Sequence, residues 1–125
     1  RVMGDLATNH IIPTAIRYQN LLVENVRGLK EVLDQKTFVK MSKMQLQSIK
    51  DISEHTNEIR LKVATMVEAR RQANRLPGIV ERAEAYDRHV KACFETIRYH
   101  VDKLELLVDD ELWPLPKYRE LLFTR

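Results

Sequence analysis

The stretch LPGIVERAEAYDRHVKACFETIRYHVDKLELLVDD, Leu76 to Asp110, decides the fold. Ala83, Val90, Ile97 and Leu104 recur at intervals of seven, and Val80, Phe94, Val101 and Val108 form the offset row. That spacing puts both rows on one face of an α-helix running from about Ile79 to Asp110. The break Leu76-Pro77-Gly78 precedes it, where proline cannot continue a helix and glycine relieves the turn.

Upstream of the break a second helix is expected from about Thr37, as N-cap, to Asn74. It carries Ile52, Ile59, Met66 and Ala73 at the same interval of seven, with Ile49, Thr56, Val63 and Arg70 as a degraded offset row. At 1.5 Å per residue it would be about 55 Å long. The short Pro-Gly connection makes it an antiparallel hairpin with the helix that follows. Folding back about Pro77 also brings the acidic run Asp109-Asp110-Glu111 beside Lys36, Lys40 and Lys43, where the lysines offset acids placed against a helix dipole.

A first helix spans about Ile11 to Asp34, with Ile12, Ile16, Val23, Val26, Leu29 and Leu33 on or near one face. Pro13 fits its first turn or kinks a longer helix starting near Asp5. Gly28 weakens the helix interior, and a close helix contact is the expected reason for it. The chain therefore reads as all-α: one domain of 125 residues, an antiparallel bundle of three main helices with a long central hairpin and an extended tail from 112 to 125.

Composition agrees. Charged residues make up 31% against 3 Gly and 4 Pro, which favours long helices with solvated faces over a turn-rich β fold. No run of about 18 apolar residues exists, so no membrane span is expected. The charged opening Arg1 to Asp5 is no secretory signal. The net charge of +3 is too mild to argue for nucleic acid. Cys93 is the single cysteine, a small apolar helix residue that fits a reducing cytoplasm.

Chemistry-bearing patterns are sparse. A di-iron bundle needs Glu three residues before His, but the residues three before His10, His55, His89 and His100 are Ala7, Ile52, Tyr86 and Ile97. No two histidines lie four apart, and no Gly-rich loop is present to cradle phosphate. His55 with Glu54 and Glu58 reads as a solvated helix face. Arg60, Lys62, Arg70, Arg71 and Arg75 lack interleaved aromatics and read as a solvated face or protein contact. Met41, Met44 and Met66 read as core or seam fillers. No catalytic, cofactor or metal residue is expected.

The tail differs in kind. It holds the only tryptophan, two prolines and a high density of large apolar groups. Trp113, Pro114, Leu115, Pro116, Tyr118, Leu121, Leu122 and Phe123 are the expected docking residues, with either this bundle or another domain or subunit as the surface.

The stretches IRYHVDKLE (97–105) and LVDDELWPLPKYRELLF (107–123) resemble the extreme C-terminus of type III glutamine synthetases, which end in a WPxPxYxELLF-like motif. NHIIPTAIRYQ (9–19) is similar to the helix entering the same region of that family. The resemblance implies a parent enzyme that condenses glutamate with ammonia using ATP and Mg or Mn, in a large cytoplasmic ring of subunits. It places the metal and nucleotide residues in an upstream β-rich domain, so none is carried onto this chain. It also implies partners: the catalytic domain of the same chain and neighbouring subunits. A start at Arg1, without methionine, fits a piece of a longer protein. The alternative from another class is an independent helical module that dimerises through its heptad seam.

Overall fold

The computed structural model describes residues 2–108, with side chains from Gly4 onward. Three helical rods run antiparallel in succession, and no strand occurs among the described residues. The first rod passes from α1 (Val2–Leu6) through a π-helical turn (Ala7–Ile11) into α2 (Ile12–Val32). The second is α3 (Gln35–Asn74). The third passes from α4 (Ile79–Ala85) through a second π-helical turn (Tyr86–Val90) into α5 (Lys91–Leu107). At 1.5 Å per residue, the 40-residue α3 is about 60 Å long.

The core lies along the seams read from the heptads. Ile52, Ile59, Met66 and Ala73 of α3 are all buried, as are Val90, Ile97 and Leu104 of the third rod. Ile11, Ile12 and Ala15 of the first rod close the third side. Gln19 fixes the register of the first rod on α3 by donating from Nε2 to the Ile49 carbonyl (2.8 Å) and to Ser53 Oγ (2.7 Å). Asn25 adds a bond from Nδ2 to Gln45 Oε1 at 2.8 Å.

Several expectations are corrected. Of the two starts the sequence allowed for the first rod, the longer one is found: it is helical from Val2 rather than from Ile11, and Pro13 sits inside it. The π turn is the reason. Ile12 N–H reaches back to the Ala7 carbonyl, and this widened turn comes immediately before a residue that has no N–H to give. Gly28 makes no close contact, since a Cβ there would meet nothing within 4 Å. The close approach is at Gly4 instead, where a Cβ would stand 3.3 Å from Met66 Cε. The second rod starts at Gln35 with Asp34 as N-cap, so Thr37 lies inside the helix. Met66 fills core, but Met41 and Met44 are exposed.

In the third rod, Val80 and Ala83 miss the seam although Val90 keeps it. A π turn inserts one residue, and one residue is about 100° of helix rotation, enough to carry the preceding row off the interface. The same rotation turns Arg82 inward. Its Nη1 donates to the carbonyls of Leu76 (2.9 Å) and Pro77 (3.2 Å), covering acceptors just past the end of α3 that the helix leaves free. Gly78 is not held by its backbone, since its φ of −96° is ordinary for any residue; a Cβ there would meet only the exposed, flexible Glu81 side chain, which can turn away. The acidic run from Asp109 lies outside the described residues, so its pairing with Lys36, Lys40 and Lys43 does too.

Candidate functional site

Two places on the bundle gather polar or concave features. The first is the contact of His55, on α3, with His100, on α5. Their Nδ1 atoms are 2.9 Å apart and their ring centroids 5.2 Å apart at a 49° tilt. One Nδ1 must donate and the other accept, so the two rings carry opposite tautomers when both are neutral. Tyr99 meets His100 edge-on at 5.1 Å, and Lys103 Nζ lies 5.3 Å from the Tyr99 ring centre. His55 therefore has a partner across the helix interface, which corrects its reading as a solvated residue.

Burial holds His100 below the ordinary histidine value of 6.5, aided by the charges of His55 and Lys62 and opposed by Glu58. A group whose folded pKa is depressed takes a proton more readily in the unfolded chain. Stability from the neutral ring is thus complete above 6.5 and is lost as the pH falls below that value. Two protonated rings would also leave two donors facing each other. The expected result is a thermal midpoint that drops between about pH 8 and about pH 5, with a shallower drop in His100→Asn. Equal slopes for the two proteins would rule out this pair as the source.

The second place is a groove of about 820 Å³ between the second and third rods at the Pro77 end. Ala69, Ala73 and Cys93 form its floor, Ala64 and Ala92 its exposed lips, and His89 stands on its rim. Small side chains at those positions leave a channel where a bulkier seam would have closed. Cys93 is buried in the floor, as a small apolar helix residue would be.

Neither place assembles a reaction centre. Among the described residues, no three His, Cys, Asp or Glu side chains converge as metal ligands, and no helix is long and apolar enough to cross a membrane. The basic residues do not form one stripe: at about 100° per residue, Lys62 and Arg70 point away from the sector holding Arg60, Arg71 and Arg75. Arg71 pairs with Glu68 at 2.7 Å, both about half exposed, a contact of small worth. The expected docking residues from Trp113 to Phe123 lie outside the described residues.

Sequence reasoning missed both places. A heptad row alone leaves the sliding position open by whole turns, but the fold-back at Pro77-Gly78 closes it: His55 stands 22 residues before Pro77 and His100 22 residues after Gly78, a match the sequence reading did not draw. The run of alanines was visible, but its meaning depends on the same register.

No protein-family model matches the chain. It is 48% identical over 125 residues to a glutamine synthetase of Bacteroides fragilis, covering all of this chain and 17% of that protein. It is 23% identical over 124 residues to a protein of Dictyostelium discoideum named type-3 glutamine synthetase, covering 97% of this chain and 16% of that protein. The similarity read at the two ends of the sequence therefore runs through its middle as well. The chain spans about one sixth of the length of these curated relatives.

Proposed function

We propose that this chain, similar throughout its length to one stretch of the type III glutamine synthetases, is the C-terminal helical domain of such an enzyme and serves it structurally. The parent would be a glutamate-ammonia ligase that forms glutamine at the expense of ATP in the cytoplasm. ATP and the divalent metal, Mg or Mn, would be held by the catalytic domain elsewhere in the protein. The helical piece would pack on that domain and on neighbouring subunits of a homo-oligomer. The observation that carries this reading is the alignment of the whole chain, at 48% identity, with one part of a glutamine synthetase about six times as long.

The groove at the Pro77 end supports the packing role and is the surface we assign to it. It is concave, floored by small apolar side chains and open among the described residues, which suits an apolar helix or loop from the catalytic domain. Its lips are exposed, so they can be altered without disturbing the bundle. In the full-length enzyme, Ala92→Arg is expected to lower the assembled mass and the glutamine-forming activity together, while the isolated chain carrying it keeps its melting temperature. Unchanged assembly and activity would remove the groove from the interface. Glutamine formation by the isolated chain would overturn the structural reading altogether.

A further inference from the structure

Among the described residues, the first two rods run on beyond the third and leave a face uncovered. His55 opposite His100 fixes the antiparallel register of the second and third rods, and continuing it residue for residue puts Val108 near Gln47. From there to Gln35, about 18 Å at 1.5 Å per residue, α3 has only the first rod beside it among the described residues. The face that would meet a third partner can be located by angle. At about 100° per residue, Met41 and Met44 fall within about 40° of His55, the residue that addresses the third rod. They are 56% and 79% exposed. On the first rod, Leu22 packs against the core and Leu29, seven residues on, continues the same line half-buried.

We propose that the chain's own residues 112–125 occupy this face, with Trp113 and the Leu121-Leu122-Phe123 run lying against Met41, Met44 and Leu29. Three observations select that occupant over a second copy or another protein. The described chain ends at Val108, buried at the near end of the face, so the residues that follow it in sequence start within reach of it. Charge matches along one edge. Lys36, Lys40 and Lys43 lie about 60–120° from the His55 direction, on the side away from Gln45, Ile49 and Ser53 where the first rod sits. Asp109, Asp110 and Glu111 follow directly on Val108 in the sequence, which keeps their charges within reach of that edge. Reach is ample: at about 3.3 Å per residue, an extended segment of this length exceeds the face more than twofold. Pro114 and Pro116 hold φ near the extended range and stop the helix from simply continuing past the hairpin.

The single tryptophan, Trp113, is a built-in reporter. In the 125-residue chain its emission is expected to be blue-shifted and protected from acrylamide. The pair Met41→Lys and Met44→Lys should shift it to the red and raise quenching to that of a free indole, with helical circular dichroism retained because both side chains are exposed. Lys36→Glu with Lys40→Glu, which touches no apolar residue, should give a smaller shift in the same direction and serves if the methionine variant misfolds. Val39→Lys, on the opposite face, should change nothing. Three results would overturn the proposal: Trp113 already exposed in the unaltered chain, protection indifferent to the methionine and lysine changes, or protection that appears only at concentrations where sedimentation shows dimers. The readout does not involve the groove at the Pro77 end, so failure here leaves the proposed packing role standing, and the reverse.

Discussion

Ile59→Ala is expected to destabilise the chain by about 2–5 kcal/mol, the range for removing a fully buried aliphatic side chain and leaving a cavity. Ile59 is 0% exposed at the middle of the longest helix, in the seam it shares with both neighbouring rods. Neither neighbour can collapse into the space without breaking its own packing, which argues for the upper part of the range. Two residues along, Leu61 is 62% exposed, and Leu61→Ala should change stability by no more than about 0.5 kcal/mol. Urea unfolding of the two variants measures both numbers at once. Similar losses at the two sites would show that the seam does not carry the fold.

Glu54→Pro is expected to cost about 3 kcal/mol or more, because proline removes a main-chain bond and its ring meets the carbonyl one turn back. Glu54 is exposed at the centre of α3, so its side chain buries little and the effect isolates the backbone. Glu54→Ala is the control and should be nearly neutral, since alanine is the better helix former. The comparison asks whether α3 works as one rod. If the proline variant keeps the stability of the alanine variant, the two halves of α3 are held independently by their neighbours and the continuity of the helix matters little.

What the sequence reveals and what it hides divide along one physical line. The rows Ile52-Ile59-Met66-Ala73 and Val90-Ile97-Leu104 are legible because burial imposes a period, and a period survives whatever the register is. The extent of the first rod is legible only as one of two alternatives, because Pro13 suits a helix start as well as a longer rod and the π turn that lets it sit within one has no composition of its own. Val80 and Ala83 mislead for the same reason, since a one-residue widening that begins six and three residues further on rotates them off the seam. Glycine misleads in a different way. Gly28, mid-helix and apparently in need of explanation, touches nothing, whereas Gly4 carries the close approach to Met66. Only the position of a neighbouring rod separates the two. The His55 and His100 contact, and the groove beside Cys93, depend on the sliding position of two helices, which the heptad rows leave open and only the Pro77-Gly78 break sets.

The similarity to glutamine synthetases was legible from the two ends of the chain, and this too has a physical side. Proline, tryptophan and tyrosine at fixed offsets are rare combinations, while a heptad of aliphatics is shared by every bundle. The middle of the chain builds the fold, but the ends distinguish it.

The two widened turns, Ala7–Ile11 and Tyr86–Val90, carry a consequence for how chains of this kind are compared. Each is one residue longer than a regular turn, so losing that residue would restore an ordinary helix and would swing everything before it about 100°. A relative one residue shorter there would keep its downstream seam in step and present a different set of side chains upstream. Aligned with this chain, it would show a single-residue gap in mid-helix, where gaps are ordinarily pushed out to the nearest loop. In this bundle that gap would be the correct placement, and moving it to the loop would assign Arg82 and Gly4 to the wrong counterparts.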